Sequence, residues 1–175
     1  MKKVKQSELK KYLSTKSDVE LKKEILELFK LYPNVQEYYY LKIYPEKEEE
    51  IMEKYLQIIR DEFFPERGVP TLRYSIMRKA ISDFKKISKT PKNIAELMMS
   101  YVEFGVDFTN VYGDISARFY NSIFSMYEKT ISYILKNNLQ QYFKERCRKV
   151  MEKSRGIGWG FGDDMECLYY ENFED

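Results

Sequence analysis

The sequence predicts an all-α protein: about eight helices in antiparallel hairpins, forming an irregular bundle or a HEAT-like superhelical stack, with an extended Gly-rich C-terminal tail. Three observations carry this. Apolar residues recur three and four apart along most of the 175 residues, the spacing that lines one face of a helix. Glycine (7) and proline (5) are scarce and fall where the apolar runs stop, as helix punctuation does. Finally, no alternating run of about five residues bounded by turn signals marks a strand.

The elements follow in order. Ser7 is expected to cap a short segment carrying Leu9, Tyr12 and Leu13. Ser17 with Glu20 forms a capping box, behind which Val19, Leu21, Ile25, Leu28, Phe29 and Tyr32 repeat until Pro33. Asn34 opens a short helix through Tyr44, ended by Pro45. Glu46, Glu48, Glu49 and Glu50 suit the positive N-terminal end of a fourth helix, whose stripe is Ile51, Tyr55, Ile58, Ile59 and Phe63. Thr71 caps a fifth, with Leu72, Ile76, Ala80, Phe84 and Ile87 on one side. Pro91 starts a sixth, which runs to Gly113. Asp114 caps a seventh with Ile115, Phe119, Ile123, Met126, Ile131 and Ile134, broken at Asn137-Asn138. An eighth spans Gln140 to about Ser154. Short links favour antiparallel neighbours, but no residue-level repeat appears at the periods of about 40 residues that helical arrays use.

The length is that of one ordinary domain. Residues 1–155 are expected to form a helical domain, with 156–175 a Gly/aromatic and then acidic tail packed on it. With 43% hydrophobic and 16% aromatic residues, the chain has apolar area enough to offset its ordering entropy, which excludes a disordered chain. The basic start lacks a following apolar h-region, and no run reaches the ~20 apolar residues of a membrane span. Two cysteines, Cys147 and Cys167, stand in no metal spacing and read as free thiols. Cytoplasmic localisation is the expectation.

The chemical inventory excludes more than it suggests. No histidine is present, which removes Ser-His and Cys-His nucleophile activation and His-held zinc or haem. The basic stretch around Cys147 (Lys144, Arg146, Arg148, Lys149) could depress its pKa, although an idle thiol is the simpler reading. The richest polar segment is Glu103 to Asn121. Glu103, Asp107 and Asn110 share one helix face. Tyr112, Asp114, Arg118, Tyr120 and Asn121 complete a candidate cluster. Two carboxylates so spaced could hold Mg²⁺ or Ca²⁺, or split acid and base roles. Against that stands the structural alternative of a cap, a turn and an ion pair. Gly105 inside the same helix implies close approach of another group.

At the end, Gly156-Ile157-Gly158-Trp159-Gly160-Phe161-Gly162 alternates glycine with large apolar residues. A phosphate cradle would need a preceding strand. Here a helix precedes, and Asp163-Asp164 would repel phosphate. The run reads as a latch that packs back on the helices, with Trp159 and Phe161 as a candidate binding edge.

Six pieces distributed along the chain carry a resemblance: Glu8 to Leu13, Phe63-Phe64-Pro65, Asp83 to Lys86, Tyr112-Gly113-Asp114, Phe119 to Ser122, and Gly158 to Phe161. With them the chain resembles a bacterial family of uncharacterised proteins, domain of unknown function 6155. In that family pattern His often follows the Gly-Trp-Gly-Phe run, where this chain has Gly162. The resemblance implies a single bacterial domain and no particular activity.

The leading functional expectation is a protein-interaction or scaffold module, on the helical hairpins and the aromatic excess. Nucleic-acid binding is the alternative. Before Gly156 the chain carries 30 bases against 22 acids, with Arg73, Arg78, Lys79, Lys85, Lys86, Lys89, Arg146 and Lys149 among aromatics. A carboxylate-based enzyme or metal site around Glu103 to Asp114 is the third. No cofactor, resident metal or membrane partner is expected.

Overall fold

Every regular element among the described residues is helical, as the apolar spacing requires. The computed structural model describes residues 3–173, which fall into two units, residues 3–45 and 46–173. Met1, Lys2 and the acidic Glu174 and Asp175 lie outside the described residues.

In the first unit, α1 spans Gln6–Leu13, α2 Asp18–Leu31 and α3 Pro33–Ile43. The expected box at α2 is present: the Glu20 amide donates to Ser17 Oγ at 3.4 Å, and the Ser17 amide donates to Glu20 Oε2 at 2.8 Å. Ser7, by contrast, lies inside α1. There Glu8 reaches back to the Lys5 amide at 2.7 Å, so the helix begins two residues earlier than Ser7 would set it. Pro33 both ends α2 and opens α3, because its missing N–H costs nothing at a first helical position. Helices α2 and α3 pack together, yet only Glu37 and Leu41 of this unit are buried.

The second unit holds the main core. A single 3-10 turn, Pro45–Lys47, leads into α4 (Glu48–Phe63), followed by α5 (Tyr74–Ile87), α6 (Pro91–Tyr112), α7 (Ala117–Lys136), α8 (Gln140–Ser154) and α9 (Phe161–Phe173). Helix α6 is central. It packs against α4, α5, α7 and α8 and buries residues on nearly all sides, from Ile94 to Thr109. A helix with so broad an apolar surface must be enclosed on most sides in this way. Gly105 explains how α7 comes so near: a Cβ there would lie 2.8 Å from Ile123 Cγ1 and closer still to its Cδ1.

Two links are fastened by carboxylates. Glu48 at the start of α4 accepts from Ser88 Oγ (2.5 Å), Thr90 Oγ1 (3.0 Å) and Asn93 Nδ2 (3.2 Å), so it secures the α5–α6 link. Glu62 near the end of α4 does the same for the loop before α5. It accepts from Thr71 Oγ1 (2.6 Å), the Arg73 amide (2.8 Å) and the Arg73 guanidinium (2.7 Å). Thr71 is therefore not the α5 cap that the sequence suggested. Its hydroxyl serves Glu62, and α5 starts at Tyr74 after Leu72 turns into the left-handed region (φ 50°).

The expectation of an extended C-terminal tail is corrected. Residues 156–160 make a glycine turn, with positive φ at Gly156 and Gly160, and a ninth helix follows. Its stripe of Phe161, Met165, Tyr169 and Phe173, each four apart, is buried, and Asp163 and Asp164 occupy the first turn, where negative charge is favoured. The density of glycine hid that periodicity. Gly162 fits only as glycine, since a Cβ would meet the Ser154 carbonyl oxygen at 2.6 Å. Any side chain there would force the α8 terminus to move.

Candidate functional site

Glu103, Asp107 and Asn110 do share one face of α6, and that face meets α8. Arg146 of α8 donates to Glu103 through Nε (2.8 Å) and Nη2 (2.7 Å), and to Glu96 through Nη1 (2.6 Å). The side chains are roughly a third exposed. Burial alone would lower the Arg146 pKa, but the paired carboxylates outweigh it and raise it. One turn on, Lys153 Nζ donates to Asp107 Oδ1 at 2.7 Å, and Asn110 Nδ2 donates to the Lys153 carbonyl at 3.1 Å. The face is a polar seam between two helices, in which Arg146 serves two carboxylates and Lys153 a third.

The other half of the predicted cluster gathers at the α6–α7 link. Tyr120, 3% exposed, donates its hydroxyl to Asp114 Oδ1 (2.9 Å) and accepts from the Ile115 amide (3.3 Å). Thr109 Oγ1 lies 2.8 Å from the same phenol and also reaches the Gly113 carbonyl (3.0 Å). Asp114 Oδ1 takes a second donor, the Trp159 indole, at 2.7 Å. Asp114 is therefore not the α7 cap. Ser116 fills that role through the Phe119 amide at 3.3 Å, and Asp114 instead ties the glycine turn to the helix link. Phe161 is buried against Tyr120 (ring centroids 5.2 Å), whereas Trp159 is 63% exposed with φ 63°. Of the two candidate edge residues, only Trp159 offers its ring to solvent.

The remaining cluster members stand apart. Arg118 lies over the Tyr74 ring at 5.6 Å, a cation–π contact. Tyr112 packs on Phe108 (4.5 Å) and Phe64 (6.4 Å) while 56% exposed. Asn121 is exposed on α7.

Among the described residues no three His, Cys, Asp or Glu side chains could hold a metal ion together, and no helix is long and apolar enough to cross a membrane.

Neither thiol is activated. Cys147 is fully buried, and desolvation pushes its pKa up to about 12 despite Arg146 beside it. Exposed Cys167 is raised by Glu171, which accepts its S–H at 3.3 Å. A dithiobis-nitrobenzoate titration is expected to modify Cys167 alone in the native protein, and slowly. Cys147 should react only after denaturation, because thiolate and access are both required.

Sequence reasoning missed Glu62 and the cavity of about 550 Å³ beside it, lined by Gln57, Asp61, Arg67 and Arg73 among others. A signal existed. Glu62 stands four after Ile58 and three after Ile59, so a carboxylate sits on the apolar stripe of α4. Such a residue needs a hydrogen-bonding partner.

Comparison with curated proteins and with solved structures finds no match. A family of unknown function, DUF6155, matches residues 4–174, so nearly the whole chain is covered and the protein belongs to that family.

Proposed function

We propose that the protein is an interaction module that binds another protein through its first unit. One observation carries this reading. Most of the large apolar side chains that stay exposed fall within residues 4–44, including Val19, Leu26, Leu28, Leu31, Tyr32 and Ile43, at 46–77% exposure. Scattered exposed hydrophobics are ordinary, but here α2 presents Ile25, Leu28 and Phe29 three and four apart, followed by Tyr32 at its C-cap. An apolar helix face left uncovered is what a helix-in-groove or helix-on-helix partner buries. A HEAT-like stack of hairpins would present such a face in the same way.

The alternatives receive less support. Of the bases that suggested nucleic acid, Arg73 is held by Glu62, Lys79 and Lys86 by Asp83, Arg146 by Glu96 and Glu103, and Lys149 by Glu145. Charge spent locally attracts phosphate weakly. Of the carboxylates of the enzyme or metal alternative, Glu103 and Asp107 are matched by Arg146 and Lys153, and Asp114 accepts from Tyr120 and Trp159.

Site-specific photo-crosslinking tests the reading. A crosslinking residue at position 28 is expected to give one discrete protein adduct in extracts of the source cells. The same residue at position 79, on the polar side of α5, should give none. The adduct should vanish when Leu26 and Phe29 are both replaced by Asp. Identical adduct patterns from the two positions, or no adduct from position 28, would defeat the proposal.

A further inference from the structure

Among the bases of the second unit that no carboxylate neutralises, three share one concavity. A concavity of about 590 Å³ opens where α5, α6 and α7 meet. Lys85 of α5 and Lys129 and Lys136 of α7 line it, and among the described residues none of the three is paired with a carboxylate. Glu128 is the one acid on the wall, so the lining is two positive charges in excess. Lys129 and Lys136 are seven residues apart, which places them on one face of α7 about 10 Å from each other. Between them lie the Ser132 hydroxyl and the Tyr133 ring, and Lys85 Nζ stands 4.9 Å over that ring. Met98 of α6 closes the floor.

We propose that this concavity binds a small ligand carrying two or more phosphate groups. The choice of phosphate follows from charge: a phosphate group carries about −1.5 to −2 charge and three acceptor oxygens, so it gains more than a carboxylate from several ammonium groups. The lining supplies lysines and no arginine. Ammonium groups act as point charges that approach a tetrahedral anion from separate directions. The choice of more than one phosphate follows from spacing: ammonium groups strung along two helical turns serve a chain of charges better than a single centre. Ser132 adds a neutral donor, and Met98 with Tyr133 offers an apolar wall to the rest of the ligand. The lining residues all belong to the second unit.

Isothermal titration with inorganic pyrophosphate at low salt tests this, with inorganic sulfate and a short mixed-sequence RNA as comparisons. Pyrophosphate is expected to bind one per chain and more tightly than sulfate. The double variant Lys129→Gln/Lys136→Gln should weaken it by about tenfold or more, the scale of losing charge-assisted hydrogen bonds. The control Lys22→Gln/Lys23→Gln, on the exposed side of α2, should not. All four positions are solvent-exposed, so every variant is expected to fold, and matching thermal unfolding without ligand checks this. Lys85→Met keeps the packing over Tyr133 while removing the charge, and supplies a second, independent loss. The proposal fails if pyrophosphate does not bind, if the control pair weakens it equally, or if RNA binds while pyrophosphate does not.

Discussion

Replacing Gly105 by alanine is expected to cost about 2 kcal/mol of stability, although alanine is the better helix former by about 1 kcal/mol. The new methyl would overlap Ile123, three of whose side-chain atoms lie within 3.2 Å of where it must go. Ile123 is fully buried between α6 and α7, so it has no empty space to swing into. Gly105→Val should be worse, at roughly 3 kcal/mol or more, since overpacking grows with each added carbon. Ile123→Ala alone should cost about 3 kcal/mol by leaving a cavity. The double variant Gly105→Ala/Ile123→Ala is the decisive measurement, because each change makes room for or fills the other. Urea unfolding should give a double-variant loss smaller than the sum of the singles by about 1 kcal/mol or more, the coupling expected of residues in contact. Simple additivity would mean that α6 and α7 do not meet at this point.

The second large effect is expected at Glu62. Its side chain is 3% exposed while Arg73 is 60% exposed, so Glu62→Ala leaves Arg73 solvated and should cost about 2 kcal/mol through the lost charge-assisted hydrogen bonds to the loop. Glu62→Gln keeps the shape and isolates the charge. Burial would raise the Glu62 pKa, but Arg73 and Thr71 outweigh it and hold the carboxyl below its ordinary value of 4.5. A carboxyl whose pKa is lower folded than unfolded stabilises the fold above the unfolded value, and that stability is lost as pH falls through the folded one. The gap between the parent protein and Glu62→Gln should therefore be constant near neutrality and narrow below about pH 4.5. Denaturant titrations at pH 7, 5 and 3 check this, and a gap unchanged at pH 3 would contradict it.

Much of the helical order was legible because apolar period and punctuation agree along the chain. The stops at Pro33, Pro45 and Gly113 and the start at Pro91 hold within a residue or two. What escaped was tertiary in origin. Thr71 and Asp114 are good capping residues by type, but each has a stronger partner from a distant element, Glu62 and Trp159 respectively. Helix α9 escaped because local propensity is poor where glycine is dense, and its support comes from burial of Phe161, Met165 and Tyr169. In the polar cluster, the common face of Glu103, Asp107 and Asn110 was readable from spacing, whereas Arg146 and Lys153, which meet it from more than 40 positions away, were not. Close approach at Gly105 was readable; the identity of Ile123 as the approaching group was not.

The single indole of the chain gives this architecture an optical handle. Because Trp159 is largely exposed and its indole nitrogen donates to Asp114, emission colour and quenching should follow release of the final hairpin even while the rest of the molecule keeps its ellipticity. Substituting Asp114 with alanine would free that fluorophore, so seating of the C-terminal region could be timed apart from assembly of the earlier helices.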